Sequence, residues 1–349
     1  MFTFFIQLVV ILAACRAFGA VLRRFGQPQV VSEMVAGLLL GPSLLGWLFP
    51  VAHSWIFPEA SRSLLFVVSR AGLLVYMYLV GLEFDAAALR PRLRGAAAVS
   101  AAGIAAPFVL GGVLGFLLSG DTMLFPAWVG PWRAGLFLGC AMSITAFPVL
   151  ARILEEKGLM HTSAGRIALA AGSIDDAAAW CVLGAGLFGL FPVFGAFLLG
   201  ALTPRGRSIR AIERAVSPAI RLVFLPLFFA CSGLNTRIAL LSTPWLWGVA
   251  AAVIAAAALG KVGACWAAAR LSGEPQSEAL AIGALMNARG LMELIILNIG
   301  LERGIIQPAL FTVLVLMAVV TTLAATPLLD RVTRSARRKS LAPSDAVLA

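Results

Sequence analysis

Asp175 and Asp176 stand side by side in the stretch SIDDAAAWC, residues 173–181, with no other charge in it. Adjacent carboxylates in a long apolar run suit one kind of chemistry, the binding and release of a proton or a hard cation, because both compete for carboxylate oxygens. On an insertion scale an Asp at the centre of a membrane helix costs about 2.5–3.5 kcal/mol, and an apolar residue returns only about 0.3–0.6 kcal/mol. Two aspartates therefore cost roughly 5–7 kcal/mol. Such a segment must face protein or water, and the pair reads as a functional site. Lys261, in LGKVGA, supplies the complementary charge. A buried ammonium needs a carboxylate partner, and either Asp175 or Asp176 qualifies; a purely structural ion pair is the plainer role for Lys261. Gly260 and Gly263 beside it would let another backbone approach.

Two apolar runs are interrupted. Residues 133–154 contain SITAFPVLARIL, where Pro148 lacks an N–H and disfavours helix at Phe147. Ser143 and Thr145 are placed to satisfy the carbonyls this frees. Residues 277–300 contain LMNARGLMEL, where Asn287, Arg289 and Gly290 break the run. The breaks fall at matching places in the two halves, and paired interrupted helices mark a midplane substrate site. Arg289 and Glu293 are four apart, the spacing of an intrahelical pair. Glu33, Glu83 and Glu293 are secondary ion-site candidates, although Glu33 and Glu83, near the ends of spans, are expected to reach headgroups. Arg16, Arg70 and Arg221 are expected to snorkel or pair locally.

The elements that must position these residues follow from composition. Of 349 residues 61% are hydrophobic and 12% charged, and the mean hydropathy is +0.97. Soluble domains run near 45–50% apolar and about 25% charged, so the chain is an all-α polytopic membrane protein. Eleven segments are long or apolar enough to count as spans, at about 2–22, 29–47, 64–84, 95–118, 133–154, 166–185, 188–203, 218–233, 244–269, 277–300 and 308–329. The seventh is short. The net charge of +11 sits mostly in alternate connections, at Arg23, Arg24, Arg90, Arg92, Arg94, Arg152, Lys157, Arg166, Arg205, Arg207, Arg210, Arg214 and Arg270, and in the tail. That pattern encodes topology and contact with the lipid bilayer, and excludes nucleic acid as the partner. It puts the N-terminus outside and the C-terminus in the cytoplasm, with a bacterial inner membrane as the expected location. The first apolar run has no basic region before it and reads as a span, not a removed signal.

Five cysteines lie singly inside apolar runs and only two histidines occur. No disulfide, metal centre or cofactor is expected beyond a transported ion. Residues 80–89, VGLEFDAAAL, resemble 232–241, SGLNTRIALL, and EMVAGLLLGPS resembles VFGAFLLGALTP. The paired segments run in opposite directions, as in the inverted repeats of secondary transporters. An intramembrane aspartyl protease would need carboxylates converging on one water from different helices. Adjacent residues on one helix point about 100° apart, so the pair does not suit that chemistry, and no enzymatic activity is expected. A channel suits a closed midplane site of titratable groups less well than alternating access.

In order along the chain, VVSEMVAGLLLGPSLLG, YLVGLEFD, SITAFPVLARILEEKGL, SIDDAAAWC, FGAFLLGALTPR, LPLFFACSGLNTRI, LGKVGA and LMNARGLMELIILNIGLERG resemble the signatures of the second cation:proton antiporter family, which includes Kef-type and plant cation/H+ exchangers. The resemblance runs from about residue 5 to 330. It implies an inverted-repeat antiporter fold with two crossed discontinuous helices, and a monovalent cation (Na+ or K+):proton antiporter working by alternating access. It implies that Asp175 and Asp176 bind the ion and the proton, Asp176 matching the position that is nearly always Asp. It makes Lys261 their charge partner and places the helix breaks at Ser143, Thr145 and Pro148 and at Asn287, Arg289 and Gly290. It further implies an ion-binding core over about 95–185 and 244–329, a dimerisation-type scaffold over about 1–84 and 188–233, and a basic cytoplasmic tail at 331–349.

The chain departs from the family in one respect. Relatives place two more spanning helices between the acidic helix and GAFLLG, whereas here Phe188 to Phe191 joins the two directly. By the family's plan the absent pair links the two domains and helps form the interface of a homodimer. All six core segments remain. A shortened homologue without transport activity, regulatory or structural, is the alternative reading.

Overall fold

The structure is a computed structural model and describes residues 2–27, 29–83, 93–182, 191–204 and 206–341. Among the described residues it is built from helices alone. In chain order these are α1 (Phe2–Arg24), α2 (Gln29–Leu40), the short α3 (Leu45–Leu48) and α4 (Pro50–Ile56), α5 (Glu59–Glu83), α6 (Leu93–Leu118), α7 (Pro131–Ser143), α8 (Phe147–Glu156) and α9 (Ser163–Val182). Then come α10 (Phe191–Leu202), α11 (Arg207–Ala219), α12 (Leu225–Leu234), α13 (Pro244–Leu271), α14 (Gln276–Met286), α15 (Leu291–Glu302) and α16 (Pro308–Leu341). A π-helical turn, Ile220–Phe224, joins α11 to α12 without a break.

Seven described spans are long and apolar enough to cross a membrane, among them Thr3–Arg24, Arg94–Leu118, Pro244–Leu271 and Pro308–Arg334. The other segments read from sequence are the two interrupted ones, which form the half-helix pairs α7/α8 and α14/α15, the charge-bearing α9, and α10, described from Phe191. The join at Phe188 lies outside the described residues, as does the side chain of Glu83. Tryptophans mark one end of the bundle: Trp47, Trp55, Trp128, Trp132, Trp245 and Trp247 are all exposed there. Arg23, Arg24, Arg207, Arg210, Arg214 and Arg270 sit at the connections of the opposite end. Indole rings prefer the membrane interface, so these ends bracket the apolar slab.

Small residues decide which helices touch most closely. Gly111 and Gly115 on α6 meet Gly135 and Gly139 on α7. A Cβ at Gly115 would stand 2.5 Å from the Ala134 carbonyl oxygen, and one at Gly139 2.7 Å from that of Phe108. Lipid offers no hydrophobic drive between helices, so such backbone approach is the main source of contact energy. The same device recurs in α2 against α12, where a Cβ at Gly37 would lie 2.6 Å from Ala230 Cα, and in α5 against α10, where one at Gly200 would lie 2.1 Å from the Tyr78 carbonyl oxygen. In the sequence repeat α2 corresponds to α10 and α5 to α12, so each of these pairs is the image of the other. Helices α1, α2, α5, α10 and α12 pack mainly among themselves, and α6 to α9 pack with α13, α14 and α16.

Candidate functional site

The two interruptions meet. Residues 144–146 leave the helical path between α7 and α8, and residues 288–290 do so between α14 and α15. The two non-helical segments are bonded to each other, the Ala146 N–H donating to the Ala288 carbonyl at 3.1 Å. Non-helical backbone at this depth is tolerated only where protein satisfies it. Pro148 does not itself break the helix, as the sequence suggested. It lies in the first turn of α8, where its missing N–H costs nothing and its fixed φ favours helix. The break precedes it. Gly290 is required for close approach: a Cβ there would stand 2.8 Å from Val149 Cγ2 on α8.

The C-terminal end of half-helix α7 presents carbonyls that the helix cannot satisfy. Ser143 Oγ donates to the Cys140 carbonyl at 2.9 Å. Arg289 reaches across from the other break, its two terminal nitrogens donating to Met142 O at 2.7 Å and Ala141 O at 3.4 Å. Lys261 Nζ donates to Ser143 O at 2.6 Å. Two cations thus cap the negative end of one half-helix. Arg289 Nη1 stands 3.8 Å from Glu293 Oε2, so the intrahelical pair is made as an ion pair, while the guanidinium hydrogen bonds go to α7. The Glu293 carboxylate oxygens are buried and accept no hydrogen bond.

α9 brings the acid pair to this crossing, packed against α6, α8 and α14. The two carboxylates differ sharply. Asp175 Oδ1 accepts from Ser100 Oγ at 2.5 Å, and Oδ2 accepts from Thr145 Oγ1 at 2.6 Å and from Lys261 Nζ at 3.0 Å. Neither the Lys261 nor the Asp175 side chain is exposed. Of the two pairings open from sequence, Lys261 takes Asp175. Thr145, expected to serve a freed carbonyl, donates chiefly to Asp175 and also lies 3.5 Å from the Met286 carbonyl at the end of α14. Asp176 is 4% exposed, yet neither of its oxygens has a hydrogen-bond partner. The Phe147 backbone N–H, at the positive start of α8, approaches its carboxylate, and Lys261 acts on it through space.

Gly260 does admit a neighbour, with Leu110 and Pro107 of α6 closing on it, whereas nothing approaches Gly263 within 4 Å. Glu33 does not reach headgroups; it is fully buried in α2, because the close α2–α12 contact turns that face inward. Arg70 pairs with Glu302. Cys15, Cys140, Cys231 and Cys265 are free and buried. Ser100 escaped the sequence reading: a single Ser in an Ala-rich helix carries no signal until its partner is seen.

Comparisons with known proteins bear on the family and the fold. The family described as "Sodium/hydrogen exchanger, transmembrane" matches residues 8–185 and 180–334, in two stretches that meet at the junction after α9. The Na(+)/H(+) antiporter NhaS4 of Synechocystis is 36% identical over 93% of this chain and 96% of its own length. That alignment runs over 400 residues, more than the 349 of this chain, so the relative carries residues with no counterpart here. Cation/H(+) antiporter 18 of Arabidopsis thaliana is 32% identical and the K(+)/H(+) antiporter 1 of Saccharomyces cerevisiae 29% identical. The chain spans about half the length of these two, 49% and 48%. The solved sodium proton antiporter MjNhaP1 of Methanocaldococcus jannaschii superposes with a TM-score of 0.58 at 14% identity, over 95% of this chain and 96% of that one, a likeness of fold. By the family model and the match to NhaS4, the chain belongs to the transmembrane sodium/hydrogen exchanger family.

Proposed function

We propose that the chain exchanges a monovalent cation, Na+ or K+, for protons across a membrane by alternating access, with Asp176 the carboxylate for which the two compete. The observation that carries the reading is the contrast within the acid pair. Asp175 spends its oxygens on Ser100, Thr145 and Lys261 and is held in place. Asp176, one residue on, is buried with both oxygens unclaimed, which fits a ligand that arrives and leaves. The start of α8 favours negative charge beside it, and the capped end of α7 lies close by. The names of the relatives, Na(+)/H(+) and K(+)/H(+) antiporters, support the same substrates.

The arginine end is the cytoplasmic side in this reading, by the positive-inside rule. The set containing α6 to α9 and α13 to α16 carries the ion, and the set containing α1, α2, α5, α10 and α12 is the scaffold it moves against. A non-transporting homologue is the less favoured alternative, because Asp175, Asp176, Lys261 and both helix breaks are all present at the crossing.

The test is a proteoliposome assay with a pH-sensitive dye and pulses of Na+ or K+. The unaltered chain is expected to move protons on cation addition and Asp176→Asn to move none. Full flux in Asp176→Asn, or no cation-driven flux in the unaltered chain, overturns the reading.

A further inference from the structure

α16 carries a row of polar side chains between the crossing and the arginine end. Thr322, Thr326 and Asp330 are four residues apart, so they share one helix face and together rise about 12 Å. At the crossing, Thr322 Oγ1 accepts from the Arg289 backbone N–H and donates to the Arg289 carbonyl, both at 2.9 Å. Asn287 Nδ2 donates beside it to the Thr321 carbonyl at 3.2 Å. At the far end Lys157 Nζ donates to both oxygens of Asp330 at 2.9 Å.

The helix is opened between these points. Pro327 has no N–H, so the carbonyl four residues earlier, that of Leu323, loses its helical partner. Gln27, from the connection between α1 and α2, donates Nε2 to that carbonyl at 3.1 Å. Because α1 and α2 belong to the other set of helices, the row lies on the seam between the sets.

Three atoms along the row are buried without a hydrogen-bond partner: Asn287 Oδ1, Thr326 Oγ1 and Gln27 Oε1. Their residues are 2%, 1% and 7% exposed. Each such atom costs about 1–3 kcal/mol unless something polar meets it, and an apolar side chain at the same place would avoid the cost. Polar groups aligned in this way are the setting in which buried water is held, with two to four partners each. Hydroxyl and amide oxygens also replace the hydration of a hard monovalent ion.

We propose that Asn287, Thr326 and Gln27 line a hydrated pathway between the Asp175–Asp176 site and the arginine end, with the Lys157–Asp330 pair at its mouth. Its rise of about 12 Å approaches half of a hydrocarbon core of about 30 Å, the distance from a midplane site to one interface. At its inner end Thr145 Oγ1, bonded to Asp175, lies 3.5 Å from the Met286 carbonyl, next to Asn287. The identity of the travelling ion rests on the exchange reading above; the presence of water in the row does not.

The test uses Thr326→Cys and, separately, Gln27→Cys in vesicles of known sidedness, probed with a membrane-impermeant methanethiosulfonate. The native cysteines stay in place, and the unaltered chain gives the background. Both variants are expected to react from the arginine end well above background, whereas Leu314→Cys, fully buried on the same helix, stays unreactive. Thr326→Val is expected to slow cation-driven proton flux by about three- to tenfold, the worth of one hydrogen bond at a constriction. Reactivity no greater than that of Leu314→Cys at both positions overturns the pathway, even where flux is intact. Reactivity without any flux upholds the pathway and overturns the exchange reading instead.

Discussion

Lys261 Nζ lies 3.0 Å from Asp175 Oδ2 and 2.6 Å from the Ser143 carbonyl oxygen. One ammonium therefore joins α13, the end of half-helix α7 and the acid-bearing α9. Burying two charges is offset only where hydrogen bonds complete the pair, and Ser100 and Thr145 do so for Asp175.

Removing one partner alone leaves the other charge buried. Lys261→Met is expected to destabilise the protein by about 3–5 kcal/mol, seen as a lower unfolding temperature in detergent. Lys261→Met combined with Asp175→Asn should recover much of that loss. A double variant as unstable as the sum of the singles would show that the pair is not coupled.

The two aspartates should separate stability from flux. Asp175→Asn is expected to lower the unfolding temperature, because it weakens three hydrogen bonds. Asp176→Asn breaks no side-chain hydrogen bond and should leave that temperature unchanged or higher while abolishing exchange. Equal thermal losses in the two variants would contradict the assigned roles.

Arg289 holds Met142 O and Ala141 O from the other break. A lysine there lacks the planar fork and serves at most one of them well. Arg289→Lys is expected to cost about 1–3 kcal/mol, the penalty for a buried carbonyl left unmet, with protease nicking near residues 144–146 as the local readout.

Gly290→Ala puts a methyl group 2.8 Å from Val149 Cγ2. The expected loss is about 1–3 kcal/mol from overpacking, relieved when Val149→Ala is added. Persistence of the loss in the double variant would move the cause to the backbone of the break.

His53, outside the spans on the tryptophan end, has its pKa held below 6.5 by burial and by the Arg62 and Arg237 charges. The folded state therefore binds its proton less readily than the unfolded chain. Its contribution to stability is full above about pH 6.5 and is lost as pH falls below that value. Unfolding temperature is expected to drop on acidification from pH 7 to 5, and His53→Gln to flatten part of the drop.

Charge in an apolar run made Asp175, Asp176 and Lys261 legible in the sequence, and Pro, Asn and Gly made the two interruptions legible. What stayed hidden depended on rotation and register. Adjacent residues on a helix face about 100° apart, so which aspartate meets Lys261 is fixed only by how α9 turns against α6. Ser100 and Thr326 look like ordinary small residues of membrane helices until a partner, or the lack of one, is visible. The role of Arg289 was masked by Glu293 four residues on, which supplied a nearer apparent partner. Pro148 was legible as a feature but not as a helix start, because the same residue marks either.

The glycine contacts of the scaffold bear on how the chain tolerates being shorter than its aligned relatives. α10 is seated on α5 through Gly81 and Gly200, as α2 is seated on α12 through Gly37 and Gly233. Neither seat draws on a residue preceding Phe191 in the second half. The anchor of α10 is therefore complete within the described residues, while Leu199 and Leu202 on the same helix lie exposed. The backbone-to-backbone joints that hold α10 and α2 are thus complete without any helix between α9 and α10.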